Sequence, residues 1–311
     1  MALIAVAVGI FLLIKGGDWL MRASVALSLR FSIPKIVIGM TVVSFATSAP
    51  ELIVSVRSAL TGHPDLAIGN VVGSNIANLG FVLAITIIIS PIYVTPSFYK
   101  TDWPMMILAS VLFYLFTAFD YQLEAYEGAI LFVFLLVFMV YLIKFRKRTI
   151  LDEAPQDDES LRLLKTITYL ILGGFSLWLG SETLIKGAVN LAQNLGVSER
   201  IISVSIVSVG TSIPELSASI IAIINKQKAL SLGNLIGSNI FNLLAVMGIT
   251  AMIHPITIED AGFLNNDIWW MFGISFLLLP MGFFIKGLKL SWIEGLILFF
   301  LYFIFIIPLF I

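Results

Sequence analysis

Residues 44–51 read Ser44-Phe45-Ala46-Thr47-Ser48-Ala49-Pro50-Glu51, a polar run broken by proline inside an otherwise apolar segment. Residues 208–215 read Ser208-Val209-Gly210-Thr211-Ser212-Ile213-Pro214-Glu215. The two runs lie 215 − 51 = 164 positions apart. A carboxylate beside a helix-breaking proline is costly in apolar surroundings. Its recurrence in register points to one site assembled from two halves.

The same offset links Asp18 with Glu182 and Arg22 with Lys186, then continues through both motifs. Gly69, Asn70, Gly73, Ser74, Asn75 and Asn78 return as Gly233, Asn234, Gly237, Ser238, Asn239 and Asn242, and Pro91 returns as Pro255. No gap is needed over that range, which is the signature of duplication.

Composition sets the outer bounds. Of the 311 residues, 59% are apolar and 12% charged, and the mean hydropathy is +1.04. A soluble domain cannot hide that much apolar surface, so the sequence reads as a polytopic membrane protein. A net charge of −1 offers no basic field for nucleic acid. Without cysteine there are no disulfides, thiolate metal sites or cysteine nucleophiles. The N-terminus is apolar from Ala2 and lacks a basic n-region and a small-residue cleavage site, so it reads as a retained first helix.

A spanning helix needs about 20 mostly apolar residues. On that rule ten spans are expected, near 2–22, 36–60, 66–89, 104–119, 123–144, 166–190, 200–224, 230–253, 267–285 and 290–310. The charged stretch from Lys144 to Lys165 reads as a solvated linker. The expected fold is therefore all-α and polytopic. A first five-helix repeat occupies 1–146, a cytoplasmic linker 147–163 and a second five-helix repeat 164–311, with helices two and seven broken. Lys and Arg collect on cytoplasmic loops. With the N-terminus outside, thirteen of the 18 basic residues face the cytoplasm and only Arg200 lies on an outer loop. Both termini are thus expected outside, in a multi-pass protein of the cell (cytoplasmic) membrane. Five spans is an odd number, so the second half enters the bilayer inverted. Inverted repeats place their sites at the repeat interface, near the midplane.

Gly39 to Leu60 is 22 residues, about 33 Å of helix and enough to cross, with Glu51 near its middle. Ser44, Thr47, Ser48, Glu51 and Ser55 follow helical spacing and form one polar stripe. Ser208, Thr211, Ser212, Glu215 and Ser219 repeat it. Pro50 and Pro214 each lack an N–H and crowd the carbonyl four residues back, at Ala46 and Gly210. Such carbonyls survive at membrane depth only where protein or a wet cavity satisfies them, which makes them candidate oxygen ligands. The third span adds Asn70, Ser74 and Asn78, and the eighth adds Asn234, Ser238 and Asn242; Asn75 and Asn239 fall on an adjacent face. The donors are all oxygen, while His63 and His254 lie in expected loops. Hard cations such as Ca2+ take 6–8 oxygens, and Na+ suits a similar shell.

Plainer readings stand beside these. A single Ser, Thr or Gly in a membrane helix usually packs or bonds to backbone, and Asn can serve as interhelical glue. Intramembrane acids are functional by default. Asp18 and Glu182 suit intrahelical ion pairs with Arg22 (or Lys15) and Lys186. Arg57 suits outward snorkelling, and Trp269, Trp270 and Trp292 suit membrane interfaces.

The paired Thr-Ser-x-Pro-Glu and Gly-Asn-x-x-Gly-Ser-Asn-x-x-Asn motifs resemble the α-repeats of the cation/Ca2+ exchanger superfamily, most closely its prokaryotic sodium/calcium exchanger-like branch. The likeness covers nearly the whole chain. It implies ion coordination by Glu51 and Glu215, with side chains of Thr47, Ser48, Ser74, Asn78, Thr211, Ser212, Ser238 and Asn242. It also implies backbone carbonyls around Ser44 and Ser208 as ligands, and spans one and six sliding as a long, tilted pair against the rest. One departure stands out, because some relatives carry Asp where this chain has Asn242. Two glutamates balance one Ca2+ and leave no negative charge for three Na+, whereas two H+ balance the same site. A carboxyl group in a low-dielectric cavity favours its neutral form, so proton coupling is physically reasonable.

The expected function is secondary antiport, Ca2+ against Na+, by alternating access around one all-oxygen site. No cofactor beyond the transported ions is expected, no enzymatic activity, and no partner but the bilayer, a monomer being sufficient. The alternatives are Ca2+/H+ exchange and, from another class, a passive cation channel, which favours a continuous pore over two broken helices. An intramembrane hydrolase would need a base, and neither His nor Lys shares a stripe with Ser48.

Overall fold

A computed structural model describes residues 2–146, 161–195, 210–284 and 288–310. Ser208 and most of the expected linker at 147–163 lie outside the described residues. In chain order the helices are α1 (Ala2–Phe31), α2 (Lys35–Thr47), α3 (Ala49–Leu60), α4 (Pro64–Ile89), α5 (Phe98–Ala118), α6 (Ala125–Phe145), α7 (Leu163–Asn194), α8 (Ile213–Ile224), α9 (Lys228–Ile253), α10 (Ile268–Phe284) and α11 (Trp292–Ile306). Among the described residues six helices are long and apolar enough to cross a bilayer, or seven when α2 and α3, bent by 45°, count as one span. The molecule is a membrane-embedded, multi-pass helical protein.

Burial sorts the helices into layers. The apolar stretches of α4 and α9 are 72% and 83% buried, against 28% for α1, α6 and α7. Helices α4 and α9 therefore form the centre, and the other three present an apolar face such as lipid requires. Gly237 sets how closely the centre packs: a Cβ there would run into the Met40 backbone of α2. Its absence brings α9 against the polar stripe of α2.

Helix α1 has 30 residues and α7 has 32, which is about 45 and 48 Å of helix against a hydrocarbon core of about 30 Å. Both outrun the expected limits of 2–22 and 166–190. Helix α1 continues because Ala23, Ser24, Val25 and Ala26 are buried, with the Ser24 hydroxyl returned to the Leu20 carbonyl at 2.7 Å. The two long helices pack side by side along their length. At Gly16 a Cβ would lie 2.9 Å from the Gly173 carbonyl, so only glycine permits that approach. The two expected ion pairs are present, Arg22–Asp18 at 3.0 Å on α1 and Lys186–Glu182 at 2.8 Å on α7.

Two features correct the sequence reading. The fold is not purely helical: β1 (Ile92–Tyr93) pairs antiparallel with β4 (Lys289–Leu290), and β2 (Gln122–Leu123) pairs antiparallel with β3 (Ile256–Thr257). Ile92, Leu123, Ile256 and Leu290 are all buried. Their backbone polar groups need partners away from water, and the other half supplies them. Runs of two residues carry no periodicity that a sequence could reveal. Second, Arg146 is not a solvated linker residue. Its guanidinium binds Asp102 at the start of α5 and donates to the Ser97 hydroxyl at 3.0 Å. Asp102 is fully buried and Arg146 is 7% exposed. A buried carboxylate requires such a partner.

Candidate functional site

The break in the second span starts from the sequence. Pro50 enters the first turn of α3, where its missing N–H costs nothing. The preceding Ser48 leaves helical geometry, at φ −88° and ψ 3°. Ser212 does the same at φ −87° and ψ 4°, with Pro214 in the first turn of α8. Both acids sit at helix N-termini, Glu51 in the first turn of α3 and Glu215 in that of α8. Unpaired N–H groups there favour negative charge.

Glu51 and Glu215 are both fully buried. Among the described residues, neither Glu51 oxygen nor Glu215 Oε2 has a hydrogen-bond partner. Glu215 Oε1 accepts from the Ser48 hydroxyl of the other half, at 3.4 Å.

Neutral oxygens complete the surroundings. Thr47 lies 3.3 Å from Ser238, and Thr211 lies 3.3 Å from Ser74. Asn78 and Asn242 are fully buried, each opening a π-helical segment, Asn78–Leu83 and Asn242–Val246. Such segments recur at functional sites, because the extra residue re-aims side chains. Among the described residues the Asn78 amide has no partner on either atom, and Asn242 Oδ1 has none. Ser212 is buried, its hydroxyl unpartnered among the described residues. The Ser44 side chain is engaged elsewhere, donating toward the Gly39 and Asn234 carbonyls at 2.9 Å, and its own carbonyl accepts from Ser48 N–H at 2.8 Å. The Gly210 carbonyl left by Pro214 accepts the Ser181 hydroxyl of α7 at 3.1 Å, so it is spoken for.

Some residues in the site's immediate support had no assigned ligand role in the sequence reading. Asn234 accepts from Thr47 at 3.1 Å and donates to Ser219 at 3.4 Å. Asn70 donates to the Glu51 carbonyl at 3.2 Å and to Ser55 at 3.0 Å. Asn75 and Asn239 clasp each other: each side-chain amide donates to the other's backbone carbonyl, at 3.3 and 3.1 Å. Their membership of both motif copies was visible; their mutual contact was not.

Two carboxylates with three of four oxygens unpartnered are expensive to bury unless a cation or protons compensate them. No group of three or more His, Cys, Asp or Glu residues forms a metal cluster among the described residues. The donor set therefore carries two formal negative charges and otherwise neutral oxygen, which suits a hard cation as cargo. A neighbouring cavity of about 410 Å3 reaches Ser48, but Phe45, Leu52, Phe132 and Phe241 wall it. Those side chains make it no hydrated ion route.

A broken span and a second helix start that bury two acids, beside two long packed helices, suit a membrane cation antiporter. The chain belongs to the sodium/calcium exchanger protein family, whose sequence pattern matches residues 1–144 and 165–310. It is 38% identical to the putative antiporter CaxA of Alkalimonas amylolytica, over 96% of this chain and 95% of that one. It is 28% identical to the sodium/calcium exchanger MaX1 of Methanosarcina acetivorans, over 97% and 96% of the two chains. Its fold matches the solved structure of the sodium-calcium exchanger NCX_Mj soaked with 2.5 mM Na+ and 0.1 mM Ca2+, with a TM-score of 0.83, 27% identity and 99% and 98% of the chains covered.

Proposed function

We propose that this antiporter exchanges Ca2+ for Na+ across the cell membrane, Na+ running down its gradient, through one site that each face reaches in turn. The observation that carries the reading is the pair Glu51 and Glu215, fully buried, linked by the Ser48 hydroxyl that donates to Glu215 from three residues before Glu51, and with three of their four oxygens unpartnered among the described residues. Both ions compete for the same oxygens, and that competition couples their movements. The empty site with both acids charged is the costliest state, so a change of face without an ion is suppressed. The ligands are Glu51 and Glu215 with Thr47, Ser48, Ser74, Asn78, Thr211, Ser212, Ser238 and Asn242, together with carbonyls near Ser44 and Ser208.

Ten spans in two inverted halves, at 1–146 and 164–311, supply the two faces, with both termini outside. Loop contacts support that topology. The β1–β4 pair and the bond from Lys228 to the Pro91 carbonyl join loops assigned to the cytoplasm. The β2–β3 pair and the bonds from the backbone of Glu259 and Asp260 to Asp65 join loops assigned outside.

A Na+ gradient imposed on proteoliposomes is expected to drive Ca2+ uptake, and Glu51→Gln or Glu215→Gln to abolish it. Normal uptake in both variants removes the site. A second reading, Ca2+/H+ exchange, is favoured by the amides at both Asn78 and Asn242, which leave only two acids for two protons. Uptake driven by a pH gradient without Na+ selects it. Current at channel rates in a planar bilayer would select a passive channel instead.

A further inference from the structure

The mutual clasp of Asn75 and Asn239 is symmetric, but the bonds that surround it are not. Asn242 Nδ2 donates to Asn75 Oδ1 at 3.1 Å. Under the offset of 164, Asn75 corresponds to Asn239 and Asn242 to Asn78. The equivalent bond would therefore run from Asn78 Nδ2 to Asn239 Oδ1. That bond is missing: Asn78 Nδ2 and Asn239 Oδ1 are both buried and both without a partner among the described residues. Two buried amide groups left unsatisfied are costly where a rotation could join them. The same asymmetry appears where the long helices meet the breaks. A Cβ on Gly174 of α7 would lie 3.5 Å from Ala46 Cβ, whereas a Cβ on Gly210 would meet Ile185 of α7. The offset converts these contacts into Ile10 with Gly210, and Met21 with Ala46, both on α1.

We infer that Asn75 and Asn239 form a two-position latch. In the state described here, Asn75 holds the Asn242 amide and turns Asn242 Oδ1 toward the ion. In the opposite-facing state, Asn239 holds Asn78 in the same way and the Asn75–Asn242 bond opens. Neither latch residue touches the ion; each positions a ligand and counts as a positioning residue. Because a buried side-chain bond is exchanged for an equivalent one, the two faces stay close in free energy. A reversible carrier needs that balance. This inference rests on the alternating-access reading above.

The natural absence of cysteine permits a clean test on the full chain in proteoliposomes. The pair Ala46→Cys with Gly174→Cys reports the described state, its Cβ separation being within disulfide range. The pair Ile10→Cys with Gly210→Cys reports the opposite state. Asn75→Ala is expected to lower cross-linking of the first pair and raise that of the second, by roughly fivefold in their ratio, as loss of one buried hydrogen bond implies. Asn239→Ala is expected to move the ratio the other way. Two shifts of the same sign, or no shift in either variant, overturn the latch, since damage to a merely structural clasp would disturb both alike. A protein without the substitutions at 75 and 239 whose second pair never cross-links under any Na+ or Ca2+ condition removes alternating access itself. One that cross-links both pairs, with variants that shift together, removes only the latch.

Discussion

In the first half the Thr47 hydroxyl meets Ser238 at 3.3 Å; in the second Thr211 meets Ser74 at the same distance. Ser48 and Ser212, each just before the helix that carries an acid, have dihedrals within a degree of each other. Away from the ion the halves part. Ser181 of α7 donates to the Gly210 carbonyl, whereas the corresponding residue of α1 is Gly17, where a Cβ would press on Ile221 of α8. Asp102, at the end of the π-helical segment Phe98–Asp102, is sealed against Arg146; Asp267, at the end of the matching segment Phe263–Asp267, is bonded to its exposed neighbour Asn266 instead. The hydroxyl pairs and the dihedrals at the two serines match between the halves, while the contacts of the supporting helices have diverged.

The comparison can be broken at several places. The largest effect belongs to the acids. Glu51→Gln and Glu215→Gln should each weaken Ca2+ binding by about 100-fold or more, the cost of removing one charge from a buried ion pair being about 3 kcal/mol or above. Calcium titration of the purified protein measures it, and a variant that keeps its affinity would show that one half suffices. Next comes the sealed pair. Asp102→Asn strands the Arg146 charge and should cost about 3–5 kcal/mol of stability, whereas Asp267→Asn should cost less than about 1 kcal/mol. Thermal unfolding in detergent separates them; equal losses would mean the scaffold halves are not as unlike as they look. Ser181→Ala should cost about 1 kcal/mol by stranding the Gly210 carbonyl. The smallest effects are at the ion pairs on the long helices. Asp18→Asn and Glu182→Gln should each cost about 0.3–0.5 kcal/mol, fading in high salt, because both pairs are exposed to a large degree.

The stripe Ser44, Thr47, Ser48 and Glu51 was legible because 3.6-residue spacing reports which side chains share a face. Its duplicate was legible because the offset never slips. The ion pairs were legible for the same local reason. Arg146 was not, since the chain between its helix and Asp102 leaves no spacing to read, and a basic run before acids resembles a solvated linker. Asn75 looked like the wrong face of its helix. It becomes central because α4 and α9 cross there, and residues 164 apart meet only in three dimensions. The length of α1 was missed because buried serines such as Ser24 look polar until their hydroxyls are seen returned to the helix backbone.

Calcium titration calorimetry on the purified chain at neutral pH and without Na+ bears most directly on the central claim, that both acids serve one cation. The expected result is one Ca2+ per chain, lost in Glu51→Gln and equally lost in Glu215→Gln. Two Ca2+ per chain, with each variant retaining one, would contradict it.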